Sequence, residues 1–298
     1  MTGLTRRQFS ASVAGVGLAG APVWSQPLQA GVLLRDGAKV PPLGLGTFRL
    51  AEGRRPASEE EEALRIGISL GLKVIDTAEM YGDGSAEEMV GRVIAGQREK
   101  VFLVSKVFPH NATADGIRRA CLASLKRLNA EYLDMYLLHW IDGTTNFKVV
   151  VEAFEKLKVE GRIKRWGVSN FEVKDMEALF RIRGGDACAT NQVRYNLTDR
   201  RIERDLIPWC DRYGMPIMAY SPLGKGDGEI LKNAALLRIA ETHQTGAATI
   251  ALAWTIRSGK VITFPTSGAV RHVQQNAAAL ALRLSSNELL DLDRAFPL

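Results

Sequence analysis

From residue 31 onward, short apolar runs alternate with longer segments in which apolar residues recur at helical spacing. The apolar runs are predicted to be strands at 43–47, 73–76, 101–106, 133–139, 163–168, 188–192, 215–219 and 261–264. The segments between them are predicted to be helices near 58–70, 85–96, 115–128, 147–160, 172–183, 203–213 and 233–257 (broken at Thr245-Gly246), followed by two near 270–280 and 286–295. Strands that are apolar throughout and each followed by a helix are typical of a buried parallel sheet. Eight such units predict one domain over residues 31–298, an α/β fold of the (β/α)8 TIM barrel type.

Two local patterns near the start of this region predict further detail. Asp36-Gly37 separates two short apolar runs within residues 32–40, which predicts a β-hairpin. We expect this N-terminal hairpin to plug the N-terminal mouth of the barrel. Ser58 precedes a run of four glutamates, so we expect it to cap the first helix at the end where the helix dipole favours acids.

Residues 1–30 differ in kind from the rest of the chain. Thr5-Arg6-Arg7-Gln8-Phe9 matches a twin-arginine motif, and the apolar run from Ala11 to Ala21 carries no charge. This run is too short to cross a bilayer, which needs about 20 residues, and is typical of a signal peptide. We therefore predict a twin-arginine signal segment, cleaved after Ser25 or Ala30, and a periplasmic or exported protein. A chance arginine pair is the alternative, and the protein would then be cytoplasmic.

Composition and charge narrow the classes of partner. The chain is 46% hydrophobic and 24% charged, and its net charge of +6 falls to +4 without the two arginines of residues 1–30. The basic residues stand singly or in pairs on predicted helices without interleaved aromatic residues, which indicates solvated faces and no nucleic-acid site. The three cysteines are odd in number, so they cannot all pair within one chain, and they are predicted to be small core residues. The four histidines lack the spacing of a zinc site, so no metal is predicted.

Polar side chains stand at the predicted carboxyl ends of the strands, where a barrel of this kind carries its chemistry. A strand-end aspartate that caps a loop, or a single lysine or histidine, would ordinarily be structural. A carboxylate, a tyrosine, a lysine and a histidine from three successive strands are harder to explain by packing, because a charged lysine at the barrel mouth needs a partner. We therefore interpret four of these residues as a catalytic group: Asp76, Tyr81, Lys106 and His139.

The residue types indicate how this group would work. Tyrosine has an ordinary pKa near 10, and the ammonium of Lys106 would lower the pKa of Tyr81 by favouring the phenolate. Asp76 would keep Lys106 charged, and neutral His139 would hydrogen-bond a substrate carbonyl. Tyr81 would then protonate the carbonyl oxygen as negative charge develops on it. The sequence offers no side-chain nucleophile here, so the reductant would be a hydride-donating cofactor.

Several ordered motifs resemble those of the aldo-keto reductases, and the resemblance covers essentially all of residues 31–298. They are Asp76-Thr77-Ala78-x-x-Tyr81-Gly82, Val104-Ser105-Lys106, Leu137-Leu138-His139-Trp140, Gly167-Val168-Ser169-Asn170-Phe171 and Ala219-Tyr220-Ser221-Pro222-Leu223-Gly224. Within the family, residues 78–84 and 292–297 most resemble bacterial reductases that act on methylglyoxal and similar small aldehydes.

The resemblance implies NADPH-dependent reduction of aldehydes and ketones, with the four residues named above as a catalytic tetrad. It also implies a set of cofactor-binding residues. These are Ser169, Asn170 and Gln192 at the nicotinamide carboxamide, Tyr220 stacked on the nicotinamide ring, Ser221, Leu223 and Gly224 along the pyrophosphate, and Gly46-Thr47 beside the cofactor.

One departure from the family pattern concerns the adenosine 2′-phosphate of the cofactor. The family usually has a lysine after Ile-Pro, and this chain has Thr266 after Phe264-Pro265. The residues left to bind this end of the cofactor are Ser267, Arg271, His272 and Asn276, with the amides of a helix N-terminus, and Gln275 stands where a glutamate is usual. We expect a weakened preference for NADPH and some use of NADH. An Arg271 that replaces the lysine is the open alternative.

Three aromatic residues, Phe48, Phe108 and Trp140, stand just past strand ends and would form an apolar wall for the substrate, or else pack at the barrel rim. The short loop after the fourth barrel strand and the chain end directly after the last helix favour an open pocket for small carbonyls. The expected partners are therefore a small-molecule carbonyl substrate and the twin-arginine export machinery, for a monomeric protein.

Two alternatives to a small-aldehyde reductase stay open. An exported sugar or polyol oxidoreductase would use the same site, and polar residues in the pocket would favour it. A nucleotide-binding regulatory subunit with negligible turnover belongs to another class, and the intact tetrad argues against it. An exported reductase also lacks an obvious NADPH supply, so we expect the cofactor to be loaded before export.

Overall fold

The computed structural model describes residues 31–298 except Lys225 and Asp227. The twin-arginine segment predicted for residues 1–30 lies outside this described part. A two-stranded antiparallel hairpin opens the described chain, with β1 at Val32–Leu33 and β2 at Lys39–Val40. Eight strands follow and pair in chain order as one parallel sheet: β3 (Gly44–Gly46), β4 (Val74–Asp76), β5 (Phe102–Val107), β6 (Met135–Leu138), β7 (Trp166–Ser169), β8 (Asn191–Arg194), β9 (Ile217–Tyr220) and β10 (Val261–Thr263).

The sheet closes where its last strand meets its first. Parallel bridges join Leu43 to Thr263 and Gly46 to Thr266, and the backbone N–H of Thr263 donates to the carbonyl of Pro42 at 2.8 Å. Closure removes both sheet edges, which leaves a barrel with a helix after each strand. The predicted (β/α)8 barrel is confirmed.

Ten α-helices lie in the described part of the chain, and the last of them follows the final strand–helix unit. They are α1 (Ala57–Ser69), α2 (Ser85–Ile94), α3 (Ala114–Leu128), α4 (Phe147–Val159), α5 (Val173–Phe180), α6 (Leu206–Arg212), α7 (Ala234–Thr242), α8 (Ala247–Thr255), α9 (Val270–Ala277) and α10 (Ser286–Ala295). The break predicted at Thr245-Gly246 separates α7 from α8. No helix of this part is long and apolar enough to cross a membrane.

The start of α1 differs from the prediction. The helix begins at Ala57 directly after Pro56, so Ser58 lies inside its first turn. Proline has a fixed φ near that of a helix and therefore can open one without a capping side chain. Of the four glutamates that follow, Glu60 is buried, and its Oε2 accepts a hydrogen bond from the backbone N–H of Ala51 at 2.8 Å.

Apolar side chains fill the inside of the barrel and form a second, larger layer between strands and helices. The inner layer includes Val74, Val104, Met135, Leu137, Met218 and Ile262 from the strands. Val32, Leu34 and Val40 of the hairpin belong to the same buried cluster, so the hairpin packs against the barrel interior as predicted. Cys121, Cys188 and Cys210 are buried free thiols, as expected for core residues.

Candidate active site

The four residues of the predicted catalytic group come together at the carboxyl ends of β4, β5 and β6. Lys106 Nζ donates to Asp76 Oδ2 at 2.8 Å, to the Thr77 carbonyl at 2.8 Å and to Tyr81 Oη at 3.1 Å. The Tyr81 and His139 rings meet edge to face, with centroids 5.8 Å apart. Asp76, Lys106 and the Tyr81 hydroxyl thus form one continuous buried chain of hydrogen bonds.

Burial decides the protonation of this group. Burial alone would lower the pKa of Lys106, but Asp76 and Tyr81 together raise it, so the ammonium form persists. Burial also raises the pKa of Tyr81, and the charge of Lys106 opposes this rise without cancelling it. The expected net lowering of the Tyr81 pKa is therefore wrong. The charge of Lys106 acts in the predicted direction, and the desolvation of a phenol with 9% of its surface exposed is the larger effect.

His139 is neutral, as predicted. Burial, and then the nearby Lys106 ammonium, lower the pKa of the His139 imidazole to about 2. Among the described residues, no group hydrogen-bonds to its buried Nδ1. Its backbone carbonyl accepts a hydrogen bond from Asn170 Nδ2 at 3.1 Å, which ties the end of β6 to the end of β7.

The predicted nicotinamide residues form one hydrogen-bonded group beside the tetrad. Gln192 Nε2 donates to Asp76 Oδ1 at 2.8 Å, and Ser169 Oγ donates to the Gln192 carbonyl at 2.8 Å. Tyr220 Oη donates to Asn170 Oδ1 at 2.9 Å. Asn170 and Ser221 both have positive φ, 62° and 51°, directly after β7 and β9. Such backbone strain in non-glycine residues is characteristic of functional sites.

A cavity of about 920 Å³ opens over this group at the carboxyl ends of the strands. Most of the residues predicted for the site line it: Gly46, Phe48, Asp76, Tyr81, His139, Trp140, Ser169, Asn170, Gln192, Tyr220, Ser221, Leu223, Gly224, Thr266, Ser267 and His272.

Five predicted residues do not line the cavity. Lys106 is fully buried and contacts the cavity wall through Asp76 and Tyr81. Thr47 is buried below it, with its Oγ1 donating to the Asp76 carbonyl at 3.0 Å. Phe108 packs edge to face on Trp140, with ring centroids 4.7 Å apart. Asn276 is buried within α9, and exposed Arg271 turns its guanidinium toward His272 Nε2, 3.4 Å away.

The cavity also has wall residues that the motif-based prediction missed. They include Arg49, Arg54, Arg55, Glu60, Met80, Arg194 and Gly268. Arg54 and Arg55 belong to the segment between β3 and α1, and Glu60 lies in the first turn of α1, which we interpreted from sequence only as a helix start. The paired arginines Arg54-Arg55, in the loop that follows the first barrel strand, were the available signal.

The wall near Tyr81 is largely apolar and aromatic. Phe48 packs edge to face on Tyr81, with centroids 5.3 Å apart, and Trp140 lies 4.7 Å from the His139 ring. Phe48 and Met80 line the cavity and are 49% and 38% exposed, so part of each large side chain is open to solvent. Phe108 supports Trp140 from behind, which makes it an indirect part of the predicted substrate wall.

Comparisons with known proteins agree with this geometry. The Aldo/keto reductase family model matches residues 42–296. Methylglyoxal reductase YeaE of Escherichia coli (strain K12) is 51% identical over 261 residues, which cover 87% of this chain and 92% of the relative. Glyoxal reductase of Bacillus subtilis (strain 168) is 34% identical over 268 residues, covering 88% and 91%.

A solved structure extends the agreement to three dimensions. The crystal structure of an aldo/keto reductase from Klebsiella pneumoniae in complex with NADP and acetate matches with a TM-score of 0.86 at 47% identity, covering 90% of this chain and 95% of that one. Since the match spans the barrel and the strand ends that carry the tetrad, this chain is a member of the aldo/keto reductase family and an oxidoreductase of carbonyl groups.

Proposed function

We propose that this enzyme reduces small aldehydes, with 2-oxoaldehydes such as methylglyoxal as its substrate class, using NADPH as the hydride donor. The observation that carries this proposal is the buried chain Asp76–Lys106–Tyr81, which ends at a hydroxyl on an apolar part of the cavity wall. The 51% identity to a methylglyoxal reductase and the 34% identity to a glyoxal reductase support the substrate class.

The cavity fits a dinucleotide better than a small carbonyl alone. Its volume of about 920 Å³ lies at the upper end of ordinary ligand pockets, which hold drug-sized molecules. Gly46 lines it with backbone alone, and an added Cβ there would lie 2.6 Å from the Phe264 carbonyl and 2.8 Å from Thr266 Oγ1 across the β3–β10 seam. A flat cofactor ring therefore has backbone and the face of Tyr220 to lie against.

The amide groups at one end would hold a nicotinamide carboxamide. Asn170 and Gln192 carry both amide donors and acceptors, and Ser169 adds a hydroxyl. Each side chain is oriented before a ligand arrives, because Asn170 Nδ2 donates to Ser169 Oγ, Ser169 Oγ donates to the Gln192 backbone carbonyl, and Gln192 Nε2 donates to Asp76 Oδ1. NADPH supplies a hydride when bound, and the residues of this chain supply position and a proton.

Tyr81 is the proposed general acid. Its raised pKa keeps the hydroxyl protonated at neutral pH, so a proton is present to be donated. As the substrate oxygen gains negative charge, the Tyr81 proton moves to it. Lys106, 3.1 Å away, stabilises the phenolate that remains, and Asp76 keeps the ammonium charged and oriented.

His139 is proposed to orient the carbonyl. Nδ1 is buried without a hydrogen-bond partner within the described part of the chain, and we assign the proton of the neutral ring to Nε2. An Nε2–H can donate to a carbonyl oxygen and fix its angle beside Tyr81. The low pKa excludes the imidazolium at neutral pH, so His139 acts as a hydrogen-bond donor and Tyr81 as the acid.

Steady-state reduction of methylglyoxal with NADPH, by wild type and by Tyr81→Phe, tests this function. The phenylalanine removes the proton and keeps the ring, so kcat should fall by at least about 100-fold, the scale of general acid catalysis. NADPH binding, measured by fluorescence titration, should be unchanged. Equal turnover in both proteins would refute the assignment of Tyr81 as the acid.

The same assay separates the alternative functions. Aldoses and polyols assayed alongside methylglyoxal would be preferred by a sugar oxidoreductase, but the aromatic residues Phe48 and Trp140 beside Tyr81 favour a less polar substrate. Tight nucleotide binding by the wild type without turnover of any carbonyl would instead indicate a regulatory subunit.

For the N-terminal segment we propose export through the twin-arginine pathway with the cofactor already bound, because this pathway carries folded proteins. Fractionation of cells that produce the full chain, and of cells that produce an Arg6→Lys, Arg7→Lys variant, tests this. Protein confined to the cytosol in both, or nucleotide lost on simple dilution, would contradict the proposal.

A further inference from the structure

One end of the cavity carries positive charge that the proposed function does not yet use. The turn after β10 forms one wall of this end, with Thr266, Ser267 and Gly268. The segment before α1 forms the facing wall, with Arg54 and Arg55. These two segments are distant in sequence and meet because β10 pairs with β3 when the barrel closes.

The contact between the two walls is close and depends on a glycine. A Cβ added to Gly268 would lie 3.1 Å from Arg55 Cδ and 2.9 Å from Glu60 Cγ. Both distances are shorter than ordinary carbon contacts, so a side chain at this position would push Arg55 away. The missing side chain of Gly268 therefore brings the stem of Arg55 onto the turn that contains Ser267.

Arg55 is free to change its partner. Its ion pair with Glu59 is long, at 3.8 Å, and the two side chains are 46% and 58% exposed. Arg54 has a similar pair with Glu52 at 3.6 Å. Exposed pairs of this kind contribute little to stability, so a doubly charged phosphate would compete for either guanidinium.

The buried carboxylate of Glu60 means that an anionic ligand at this end of the cavity needs a positively charged side chain beside it. Its carboxylate is buried in the same wall, with Oε1 3.3 Å from the position of a Cβ on Gly268. A phosphate bound on this turn would be repelled by Glu60 unless a positive charge stood between or beside them. Arg55 lies against the same glycine and has the planar fork that matches phosphate oxygens.

We propose that Arg55, from the segment before α1, recognises the 2′-phosphate of NADP(H) in this chain, where Thr266 leaves the turn after β10 without a lysine. Arg54 adds to the positive field of the same wall. Arg271 does not share this role, because it lies outside the cavity wall and its guanidinium faces His272. The inference rests on the proposed function, in which the nicotinamide lies at the opposite end, beside Tyr81.

Binding by calorimetry tests the inference without catalysis. NADP⁺ and NAD⁺ are titrated into the full purified protein, and adenosine 2′,5′-bisphosphate and AMP serve as shorter probes of the same difference. Arg55→Ala should weaken binding of NADP⁺ and of the bisphosphate by about 10- to 100-fold, the value of a charge-assisted hydrogen bond, and leave NAD⁺ and AMP nearly unchanged. Arg55→Lys should recover part of the lost affinity, because the lysine ammonium keeps the positive charge but lacks the two parallel N–H donors of the guanidinium.

Arg65→Ala is the matched control, because Arg65 lies on α1, directly after the segment that carries Arg55, pairs with Glu61 at 2.9 Å and does not line the cavity. It removes the same charge and should change neither affinity. An equal loss for NADP⁺ and NAD⁺ in Arg55→Ala, or no loss at all, would overturn the inference. So would a selective loss of NADP⁺ binding in Arg271→Ala with none in Arg55→Ala.

The outcomes also separate this inference from the proposed function. If the wild type reduces methylglyoxal with NADPH and Arg55→Ala binds NADP⁺ as tightly as the wild type, the inference is refuted and the proposed function stands. A wild type that binds neither dinucleotide would refute both.

Discussion

The ion pair between Lys106 and Asp76 allows a prediction about stability that is separate from catalysis. Lys106 is fully buried, the Asp76 side chain is 4% exposed, and their charged atoms are 2.8 Å apart. Lys106→Met removes the cation and leaves the carboxylate buried, with Gln192 as its remaining hydrogen-bond donor among the contacts described above. Breaking one side of a buried pair in this way should cost about 3–5 kcal/mol of unfolding free energy.

Replacing both members should cost much less. In the double variant Asp76→Asn, Lys106→Met no charge is buried, and the new amide can still accept from Gln192 Nε2. The Thr77 carbonyl and the Tyr81 hydroxyl each lose one donated hydrogen bond, so the double variant should lie within about 2–3 kcal/mol of wild type. We therefore expect it to be more stable than Lys106→Met alone, although neither should reduce methylglyoxal at a useful rate.

The pH dependence gives a second, independent signature. Burial raises the pKa of Asp76, and in wild type the ion pair with Lys106 and the hydrogen bond from Gln192 oppose that rise. Without the ammonium the pKa of Asp76 should be higher still. A carboxyl whose pKa is higher in the folded state binds more protons there, so its folded state is favoured at low pH and loses stability as pH rises. The deficit of Lys106→Met should thus be smaller at pH 5 than at pH 8.

Urea unfolding followed by tryptophan fluorescence, at pH 5 and pH 8, measures all three proteins. Buried Trp166, Trp209 and Trp254 report the loss of the core. A double variant no more stable than Lys106→Met would refute the reasoning, because it would mean that the uncompensated carboxylate is not the source of the cost. A deficit in Lys106→Met that does not change between the two pH values would also refute it.

Two further predictions concern single residues. The pKa of His139 is about 2 in the folded protein and near 6.5 in the unfolded chain. Below pH 6.5 the unfolded chain therefore binds a proton that the folded protein does not, and stability decreases as the pH is lowered. From pH 7 to pH 5 wild type should therefore lose about 2 kcal/mol more than His139→Gln in urea unfolding, and parallel losses would contradict the buried neutral imidazole. Gly167→Ala should cost about 1–3 kcal/mol, because its Cβ would lie 2.6 Å from the Thr190 carbonyl and 2.9 Å from Leu137 Cδ2. Gly143→Ala is its control, since within the described residues nothing lies within 4 Å of that Cβ, and equal urea midpoints for the two variants would contradict the prediction.

The strand–helix rhythm of the sequence was enough to predict the barrel and the strand ends that form the site. Most of the strands are apolar on both faces, and their last residues become polar where they leave the core. Asp76, Lys106 and His139 could be found in this way, because position at a strand end is a local property of the sequence. The start of α1 was missed since Ser58 and the glutamates matched a capping pattern, while Pro56 opened the helix two residues earlier.

The protonation of Tyr81 could not be predicted in the same way. The sequence showed that a lysine would stand near the tyrosine, and from this we expected a lowered pKa. Burial of the hydroxyl depends on how the Tyr81 loop, β5 and His139 pack together, and no local pattern contains that information. The extent to which the Tyr81 hydroxyl is desolvated therefore had to come from the structure, and this desolvation raises the pKa that the sequence predicted to be lowered.

The same limit explains why Arg55 was absent from the predicted site and why Arg271 was the one replacement considered for the lysine missing at Thr266. Motifs describe residues that are near one another in sequence, so only the residues in and directly after the turn that follows β10 were considered as partners of the 2′-phosphate. Closure of the barrel places that turn against the segment before α1, and the Cβ position of Gly268 lies within contact distance of both Arg55 and Glu60. A charge missing from one loop can thus be supplied by the loop that faces it. Under this inference, the cofactor preference of this chain depends on the two loops that meet at the seam between β3 and β10.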